Sequence, residues 1–367
     1  MNLKEIEALN KDIYIYGYGN LGRNVYQKVN AYFGDRLKGI LVSRKTKRYV
    51  SKNRGGEVIQ FSEFSNKDAI IVVATNEKFH QKITETIQEK FGGTITIIYY
   101  SNKLDDELND GIDEVPLVET RLLSVCVGQA CNFKCRDCMN FAPYAKKENM
   151  RYPLSKIEQE LDLLLANFSC VDKLHIQGGE PFLYSELDSL LLYIEEHYKN
   201  IIGKIQIATN GNVLPNPRVL EVLKSVDCDI RISNYPCDNR VDELKTLLDK
   251  NEIKYHIYHF GSKNDKWNSS GEIDYIAPLG ENTKKKVEDC SWCMCYSLEN
   301  GIVGRCARSI PALSVQNVPF IKKDYLIVDN NMSRTDVSKY FMFIKPMECC
   351  RYCKGSYGES IEPAIQL

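Results

Sequence analysis

Apolar and polar residues follow two recurring patterns along most of this chain. Short apolar runs bounded by turn residues predict strands, and apolar residues spaced three and four apart predict helices. From residue 121 onward the predicted strands are 122–127, 173–177, 204–209, 229–233 and 254–260, and the predicted helices are 155–168, 185–198, 217–225 and 241–250. Such alternation predicts a parallel sheet whose strands are joined by helical crossovers. We therefore expect an α/β protein.

The spacing of these elements favours an open, partial (β/α)6 barrel of the TIM type over residues 121–287. Parallel barrels carry their chemistry at the carboxyl ends of the strands. The residues that directly follow each predicted strand are therefore the first candidates for a functional site. Residues 288–367 are less regular and rich in cysteine, and we expect them to form a small separate domain.

A smaller α/β unit with a parallel sheet is predicted for residues 1–101, with strands at 12–16, 37–42, 69–74 and 94–99 and a helix at 77–91. The acidic and turn-rich residues 102–120 are predicted to form a linker. The front unit resembles the Rossmann-like domain that precedes several capsule and surface-glycan tailoring enzymes. This resemblance implies docking of a nucleotide-sugar, a carrier or a partner protein.

Gly17, Gly19 and Gly22 stand in a G-x-G-x-x-G spacing between the first strand and the first long helix of this unit. This is the phosphate-facing turn of dinucleotide-binding folds. The second strand ends in Ser43 and Arg44, where such a fold places an acidic residue that binds ribose, which argues against NAD. The alternative is that the glycines serve only a tight turn and close packing.

The charge balance sets limits on the partners. The 367 residues include 48 Lys and Arg against 49 Asp and Glu, so the net charge of −1 creates no general attraction for nucleic acid or for an anionic membrane. The first residues lack the apolar stretch of a signal peptide, and no apolar run is long enough to span a bilayer. We expect a soluble, cytoplasmic protein without a membrane span.

The fourteen cysteines are unevenly distributed: none precedes Cys126, and groups lie at 126–138, 290–306 and 349–353. Disulfides are rare in a reducing compartment, and buried structural cysteines need no cysteine neighbours. Clustering therefore indicates metal, with two sites as the simplest division.

Cys131, Cys135 and Cys138 form a C-x3-C-x2-C loop just after the strand 122–127. This spacing lets one loop bring three thiolates around an iron–sulfur cluster and leaves one iron of a 4Fe–4S cube open. Zinc usually takes four ligands in C-x2-C pairs, and a disulfide framework does not suit a chain of this size. The loop resembles the signature of the radical S-adenosylmethionine (radical SAM) superfamily.

That resemblance implies a defined chemistry. In the superfamily the open iron binds the amino and carboxylate groups of S-adenosylmethionine, and an electron supplied by a reductant such as flavodoxin or ferredoxin cleaves it to methionine and a 5′-deoxyadenosyl radical. Members often place an aromatic residue just before the third cysteine, against the adenine. Here that position is Asp137, so the ring is expected from Phe133 or Phe141.

Three further strand ends carry residues that the same resemblance assigns to cofactor binding. Gly178, Gly179 and Glu180 look like the GGE motif, in which backbone carbonyls and the carboxylate hold the SAM amino group. By the same resemblance, Thr209 and Asn210 after the next strand, together with Ser233, contact the ribose and carboxylate of SAM. Taken singly, each of these residues could instead be an ordinary turn or cap.

The later cysteines resemble the SPASM/twitch extensions that hold an auxiliary 4Fe–4S cluster. A hairpin signal around Asn300-Gly301 would carry Cys295 and Cys306 at its two ends, and Cys350 and Cys353 supply a second pair. We expect these four as ligands of one auxiliary cluster. The possible substitutes are Cys290, Cys293 and Cys349. A zinc site is the alternative, because four thiolates also suit zinc.

The reaction is expected to be hydrogen abstraction from a sugar, nucleotide- or carrier-linked, followed by epimerisation or dehydrogenation. Epimerisation needs a thiol that returns a hydrogen atom, and Cys237, just past the strand 229–233, is the candidate. An ordinary loop cysteine is the alternative there, whereas Cys126, Cys170 and Cys228 lie in apolar runs typical of a core. The sugar is expected from the glycan-type front domain together with the twitch-like tail, in which the protein resembles radical SAM sugar epimerases and dehydrogenases.

Two other functions remain open at this point. A peptide (RiPP) maturase would carry a leader-binding winged helix at its front, and the glycine turn argues against one. A non-catalytic iron–sulfur scaffold or sensor would not cleave SAM. The histidines do not decide: His175 lies within a strand and favours packing, while His256 and His259 could face either a pocket or solvent.

Overall fold

The computed structural model of the chain describes residues 1–44, 57–237, 240–261, 266–279, 281–343 and 345–367. It divides into two compact units. The first consists of Met1–Glu119 and Ser333–Phe343, and the second of Thr120–Met332 and Ile344–Leu367. The structure is thus mixed α/β, and the chain enters the first unit twice.

The first unit is built on a five-stranded parallel sheet in the order β3-β2-β1-β4-β5. Its strands are β1 (Asp12–Tyr16), β2 (Leu37–Val42), β3 (Val58–Gln60), β4 (Ala69–Val73) and β5 (Thr96–Tyr99). Its helices are α1 (Leu3–Leu9), α2 (Asn20–Phe33), α3 (His80–Phe91), α4 (Asn102–Gly111) and α11 (Arg334–Met342). The predicted parallel sheet is confirmed, and the short strand β3 is an addition to it.

Both faces of this sheet are covered. Successive side chains of a strand point to opposite faces, and on β1 Ile13 and Ile15 pack with Val25 of α2 while Tyr14 packs with Ile83 of α3. Each of these side chains contributes about 1.5–3 kcal/mol when it leaves water. The central strand is therefore fully buried, as expected of a parallel sheet.

Residues 102–120, predicted as a linker, instead contain helix α4, which belongs to the first unit. Ser101 caps its start by accepting a hydrogen bond from the Leu104 amide at 3.3 Å. Leu104 and Leu108, four residues apart, are buried, and Lys28 forms a buried ion pair with Asp105 at 2.6 Å. The high acidic content of the segment obscured this apolar spacing.

The first unit also includes α11, which comes from the part of the chain predicted as the cysteine-rich domain. Phe343 stacks on Tyr100 with ring centroids 6.1 Å apart, and Lys339 pairs with Asp106 at 2.8 Å. A capping box formed by Ser333 starts the helix. Nothing local in the sequence marks this return to the front unit.

The second unit is built on an eight-stranded sheet in the order β12-β11-β10-β9-β7-β14-β15-β16. The strands of this unit and of the chain segment that leads into it are β6 (Val118–Thr120), β7 (Leu123–Cys126), β8 (Phe168–Val171), β9 (Leu174–Gln177), β10 (Ile205–Thr209), β11 (Cys228–Asn234), β12 (Tyr255–His259), β13 (Trp267–Asn268), β14 (Tyr296–Glu299), β15 (Ile302–Gly304), β16 (Leu326–Ile327) and β17 (Ser360–Ile361). The strands from β12 to β14 in this order are parallel, and β15 and β16 are antiparallel.

The helices of the second unit are α5 (Leu154–Leu165), α6 (Leu187–Tyr198), α7 (Pro217–Ser225), α8 (Val241–Lys250), α9 (Thr283–Asp289) and α10 (Pro311–Val315). They follow the predicted alternation closely. Among the residues that the structure describes, no helix combines the length and apolar character needed to cross a bilayer.

The predicted hairpin around Asn300 and Gly301 is present as β14 and β15, and both turn residues have positive φ, as a tight hairpin requires. Its first strand pairs with β7 in the main sheet, whereas we expected a separate domain from residue 288. On β14 the buried Glu299 accepts hydrogen bonds from Gln129 and from the Tyr152 hydroxyl, both at 2.9 Å. The hairpin is therefore part of the sheet.

Candidate active site

The loop that follows β7 brings Cys131, Cys135 and Cys138 together. The Cys138 amide donates to the Cys135 carbonyl at 3.2 Å, which closes a turn, and the Cys131 sulfur accepts from the Phe133 amide at 3.4 Å. All three cysteines belong to one apolar cluster with Phe133 and Tyr235. The structure thus places the three predicted ligands in one apolar cluster on one loop.

Burial keeps these thiols protonated as long as no cation lies beside them. Burial raises the pKa of Cys131 to about 12 and that of Cys135 to about 11. Burial also raises the pKa of Cys138, although backbone amides, including that of Phe141, counter the shift. A buried thiolate needs a positive partner, and iron supplies one. The donor set therefore fits an iron–sulfur cluster.

Gly178 and Gly179 allow the turn after β9 to lie directly against the cysteine loop. A Cβ on Gly178, whose φ is +153°, would stand 2.1 Å from the Gly128 oxygen, and one on Gly179 would stand 2.2 Å from the Ala130 oxygen. The Gly179 and Glu180 amides donate to those same carbonyls at 2.9 and 2.8 Å. Only glycine permits this approach.

Glu180 joins the ends of two neighbouring strands. Its carboxylate accepts from the Thr209 hydroxyl and from the Asn210 amide, each at 2.8 Å, and from the Phe182 amide at 3.2 Å. Only 2% of the residue is exposed, and burial raises its pKa to about 7 despite those donors. The carboxylate is thus held by the protein itself and fixes the two strand ends relative to each other.

The predicted cofactor residues at the ends of β10 and β11 also lie in this region. The Asn210 side-chain amide donates to Asn132 at 2.8 Å and lies 3.7 Å from the Cys131 sulfur. Ser233 is buried and hydrogen-bonds the hydroxyl of Tyr235, which is itself part of the cysteine cluster. Asn132 escaped sequence analysis because it has no motif of its own.

Gln366 is a second residue that sequence reasoning missed. Its side-chain amide donates to the Cys135 sulfur at 3.4 Å, and its oxygen accepts from the Lys134 amide at 2.7 Å. Backbone bonds from Arg136 to Ile365 at 2.8 Å and from Leu367 to Lys134 at 2.9 Å hold this segment on the loop. No local signal links positions this distant in the sequence.

Cys237 lies in the same apolar cluster as Cys135, together with Tyr235 and Trp267, whose rings meet edge to face at 5.3 Å. Cys126, Cys170 and Cys228 are buried, so their interpretation as core residues is confirmed. Cys237 differs from them in facing the cysteine loop.

The aromatic and histidine candidates separate in the structure. Phe133 packs within the cysteine cluster, whereas Phe141 lies in a neighbouring core with the Arg308 guanidinium over its ring. His256 and His259 are exposed. Burial lowers the pKa of His175 to about 3, which favours the neutral imidazole in this strand and agrees with the predicted packing role.

A second group of cysteines surrounds a cavity of about 50 Å³. The six that line it are Cys290, Cys293, Cys306, Cys349, Cys350 and Cys353. Cys295, predicted as a ligand, is not among them, and its sulfur lies 3.9 Å from the Ser291 carbonyl. In the described part of the chain, no three or more Cys, His, Asp or Glu side chains are arranged to hold a single metal ion.

The thiols of this cavity differ in their electrostatics. Burial raises the pKa of Cys293 to about 12 and raises that of Cys306 as well. The Cys350 pKa is lowered to about 7, chiefly because the Cys349 thiol donates a hydrogen bond to it. Lys286 donates to the Cys353 carbonyl at 2.9 Å and so ties the last cysteine segment to α9.

Comparison with known proteins gives a family for part of the chain. Residues 125–233 match the model of the radical SAM superfamily. The GTP 3′,8-cyclase of Sulfurovum sp. (strain NBC37-1) is 27% identical over 174 residues, which cover 47% of this chain and 51% of the relative. That of Campylobacter jejuni (strain RM1221) is 36% identical over 94 residues, which cover 25% of this chain and 28% of the relative.

Among solved structures, SuiB of Streptococcus suis bound to S-adenosylmethionine is similar with a TM-score of 0.34 and 23% identity, over 50% of this chain and 45% of SuiB. The chain spans at most about half the length of the two cyclases. The superfamily match implies a 4Fe–4S cluster and S-adenosylmethionine as cofactors, and the cysteines around the second cavity fit an auxiliary cluster.

Proposed function

We propose, from the radical SAM domain that residues 125–233 represent, that this protein abstracts hydrogen from a sugar and thereby epimerises or dehydrogenates it. The sugar would be linked to a nucleotide or a carrier. One observation carries the enzymatic part of this proposal: the buried Cys135 and the partly buried Cys131 and Cys138 lie in one cluster beside Glu180 and Asn210, at the carboxyl ends of neighbouring parallel strands. Chemistry at such strand ends is the rule for parallel α/β folds.

Each residue of the site has a proposed task. Cys131, Cys135 and Cys138 would hold the cluster, which when bound would supply the electron that cleaves SAM to a 5′-deoxyadenosyl radical. Glu180 orients the Asn210 backbone and so holds the SAM-facing edge in place. Asn210 donates towards the Cys131 sulfur and offsets part of its charge.

The apolar surroundings suit radical chemistry. Phe133, Tyr235 and Trp267 pack in one cluster with the cysteine loop and cover part of it with apolar rings, and exclusion of water from such a site prevents side reactions of reactive intermediates. Cys237 lies in the same enclosure and would return a hydrogen atom to the substrate carbon if the outcome is epimerisation. If no thiol donates, the proposed auxiliary cluster would accept one electron from the substrate radical, the hydroxyl group would release its proton to solvent, and the hydroxyl-bearing carbon would become a carbonyl.

The first unit supports the nucleotide-linked form of the substrate. A cavity of about 920 Å³ lies at the carboxyl ends of β1 and β2 and is lined by Tyr16, Thr75 and the half-exposed ring of Phe79. Its charged lining residues are Arg44, Lys82, Lys90 and Glu89, three cations against one anion. Ligands of parallel sheets bind at this edge. Aromatic rings and cations together suit a base and a diphosphate.

Packing explains two of the three glycines in the turn, whereas the third glycine and the nearby Thr75 hydroxyl favour a ligand. A Cβ on Gly17 or Gly22 would strike backbone within 2.7 Å, so packing explains these two glycines. A Cβ on Gly19 would meet no described atom within 4 Å. The buried Thr75 hydroxyl of the cavity has no partner among the described residues, and a phosphate oxygen would provide one.

For the second cysteine group we propose one auxiliary 4Fe–4S cluster. Cys306, Cys350 and Cys353 line its cavity, and Cys290 or Cys293 is a better-placed fourth ligand than Cys295. A partial barrel for the large sheet and a twitch-like form for this region belong to the same proposal.

Anaerobic reconstitution with iron and sulfide, followed by dithionite and SAM, tests the enzymatic part. We expect 5′-deoxyadenosine from the wild type and from a Cys228→Ala control, and none from Cys135→Ala. Absence of 5′-deoxyadenosine from the reconstituted wild type, with its iron bound, would favour a scaffold.

Incubation with candidate sugars in deuterated solvent then separates the two outcomes. Epimerisation through a thiol introduces deuterium into the carbon skeleton, and Cys237→Ala should prevent it. Dehydrogenation gives a carbonyl without deuterium, and in that case Cys237→Ala should leave turnover intact. A precursor peptide as the only substrate would replace the sugar assignment.

Equilibrium binding measurements test whether the first unit binds the nucleotide part of the proposed substrate. We expect UDP-, ADP- or GDP-linked sugars to bind the full chain, and Lys82→Glu to weaken binding at least about tenfold by loss of a charge-assisted contact. Lys4→Glu, an exposed change on α1, is the matched control. NADPH and GTP are tested alongside the sugar nucleotides. If none of these nucleotides binds, the nucleotide-linked substrate is ruled out and only the carrier-linked substrate is left.

A further inference from the structure

Arg308 is a buried cation close to the hairpin that carries Cys306. Only 3% of the residue is exposed. One guanidinium nitrogen donates to the Ser270 hydroxyl at 2.7 Å and another lies 3.4 Å from the Tyr352 carbonyl, and its carbon stands 4.1 Å from the centre of the Phe141 ring. The guanidinium is therefore held in one position by neutral groups.

None of these partners carries a negative charge. Among the residues that the structure describes, no carboxylate lies within ion-pair distance of Arg308, and its Nε atom has no hydrogen-bond acceptor. An uncompensated buried charge costs several kcal/mol. A fold that keeps such a charge gains most if something else supplies the missing anion.

The titratable groups that act most strongly on Arg308 are cysteines from both groups. Cys306, Cys349 and Cys353 belong to the second cavity, whose wall includes Arg308 itself. Cys138 belongs to the loop after β7, and Phe141, which the guanidinium covers, follows it by one turn. One positive charge thus faces two sets of thiols.

We propose that Arg308 is the shared counter-ion of the two cysteine centres and raises the reduction potential of both. This inference rests on the proposed function, because that function provides the two clusters. A cluster held by thiolates is an anion whose charge grows by one on reduction, so a fixed neighbouring cation favours the reduced form. In a buried site this attraction is screened little by salt.

Redox titration followed by electron paramagnetic resonance tests the electrostatic role without relying on turnover. We expect Arg308→Met to lower the midpoint potentials of both clusters and Arg308→Lys, which keeps the charge, to restore most of each shift. Arg218→Met, an exposed change on α7, is the control and should shift neither. Unchanged potentials in Arg308→Met would overturn the proposal, and a shift in one cluster alone would overturn the shared role.

Stability gives a second test with a sign that a merely structural residue would not produce. In protein stripped of iron, Arg308→Met should unfold at higher denaturant than the wild type, because an unpaired buried charge has been removed. In protein that carries its iron–sulfur clusters, Arg308→Met should instead unfold at lower denaturant than the wild type. The same order in both forms would contradict the proposal.

These tests also separate this inference from the proposed function. If metal analysis finds zinc in the second cavity, the auxiliary cluster is wrong. A zinc–tetrathiolate centre is nevertheless an anion, so the reversal of stability on metal loading would persist. Should Arg308→Met fail to fold, comparison of Arg308→Lys with Arg308→Gln in loaded protein decides on charge alone.

Discussion

The two cysteine groups of this protein are assembled in opposite ways. Cys131, Cys135 and Cys138 come from one short loop, and the ends of adjacent parallel strands fix that loop through Glu180. The cysteines around the second cavity come from three separate segments at 290–293, 306 and 349–353. The first group is therefore set by local sequence and a rigid sheet, and the second depends on correct folding of distant parts.

This difference has a physical consequence for loading with metal. A loop that already holds its three thiols pays little conformational entropy when a cluster binds. The second group must order several chain segments at the same time, so metal binding there is coupled more strongly to folding. The following substitutions test this contrast, from the largest expected effect to the smallest.

Loss of one loop cysteine should have the largest effect. Cys135→Ala leaves two thiols, and formation of 5′-deoxyadenosine should fall by more than about a hundredfold, beyond the usual effect of losing a residue outside the ligand set. Product analysis by chromatography measures it. Activity within tenfold of wild type would show that the loop does not bind the cluster.

In the second group, Cys306→Ser should remove the auxiliary iron and leave the loop cluster intact. About half of the iron is then lost, since the two proposed clusters are of equal size. Cys295→Ser, outside the cavity wall, should retain full iron content. Iron and sulfide analysis distinguishes the variants, and equal loss in both would return Cys295 to the ligand set.

Gly179→Ala tests the rigid half of the contrast. The added Cβ would stand 2.2 Å from the Ala130 oxygen, which belongs to backbone that cannot move without shifting the cysteine loop. We expect a loss of about 3 kcal/mol in unfolding free energy together with reduced iron binding. Gly93→Ala, where no described atom lies within 4 Å, should stay within about 0.5 kcal/mol of wild type in denaturant titrations.

His175 gives the sheet beneath the loop a pH dependence. Burial lowers its pKa to about 3 from the ordinary 6.5. Between these two pH values the unfolded chain binds a proton at His175 and the folded chain does not. Stability should therefore fall as the pH drops below 6.5, by about 1.4 kcal/mol per unit and about 2 kcal/mol at pH 5. His175→Leu should remove this slope, and unfolding curves of both proteins between pH 5 and pH 7 measure it.

Gln366→Ala should produce the smallest change. It removes the side-chain hydrogen bonds of an exposed residue to the Cys135 sulfur, the Lys134 amide and the Ala364 carbonyl, and should cost about 1 kcal/mol of stability in total. Loss of a donor to sulfur should also lower the potential of the loop cluster slightly. Gln81→Ala, exposed on α3, is the control; identical behaviour of the two variants would remove Gln366 from the site.

Sequence reasoning succeeded where the information is local. The strand and helix pattern between 122 and 260 predicted the parallel arrangement, and strand ends directed attention to Glu180 and Asn210. It failed where the partners are far apart. Gln366 meets Lys134, and β14 meets β7, through backbone pairing that any sequence could provide.

Helix α4 and Arg308 illustrate two other limits. The sequence predicts a linker over 102–120 because acidic residues outnumber the apolar Leu104 and Leu108, yet those two are enough to bury one face of the helix that forms there. Arg308 has no motif, since a lone arginine is usually a surface residue. Its role emerges only from what surrounds it in space.

The pairing of β14 with β7 bears on how this protein can be divided. If the chain were cut near residue 287, β7 would become an open sheet edge, and exposed edges invite association with other chains. Glu299 would no longer accept the hydrogen bonds of Gln129 and Tyr152, which would leave buried donors unpaired. Recombination of the parallel-sheet portion with a foreign cysteine-rich tail should therefore succeed only if the graft supplies its own edge strand and an acidic residue at this position.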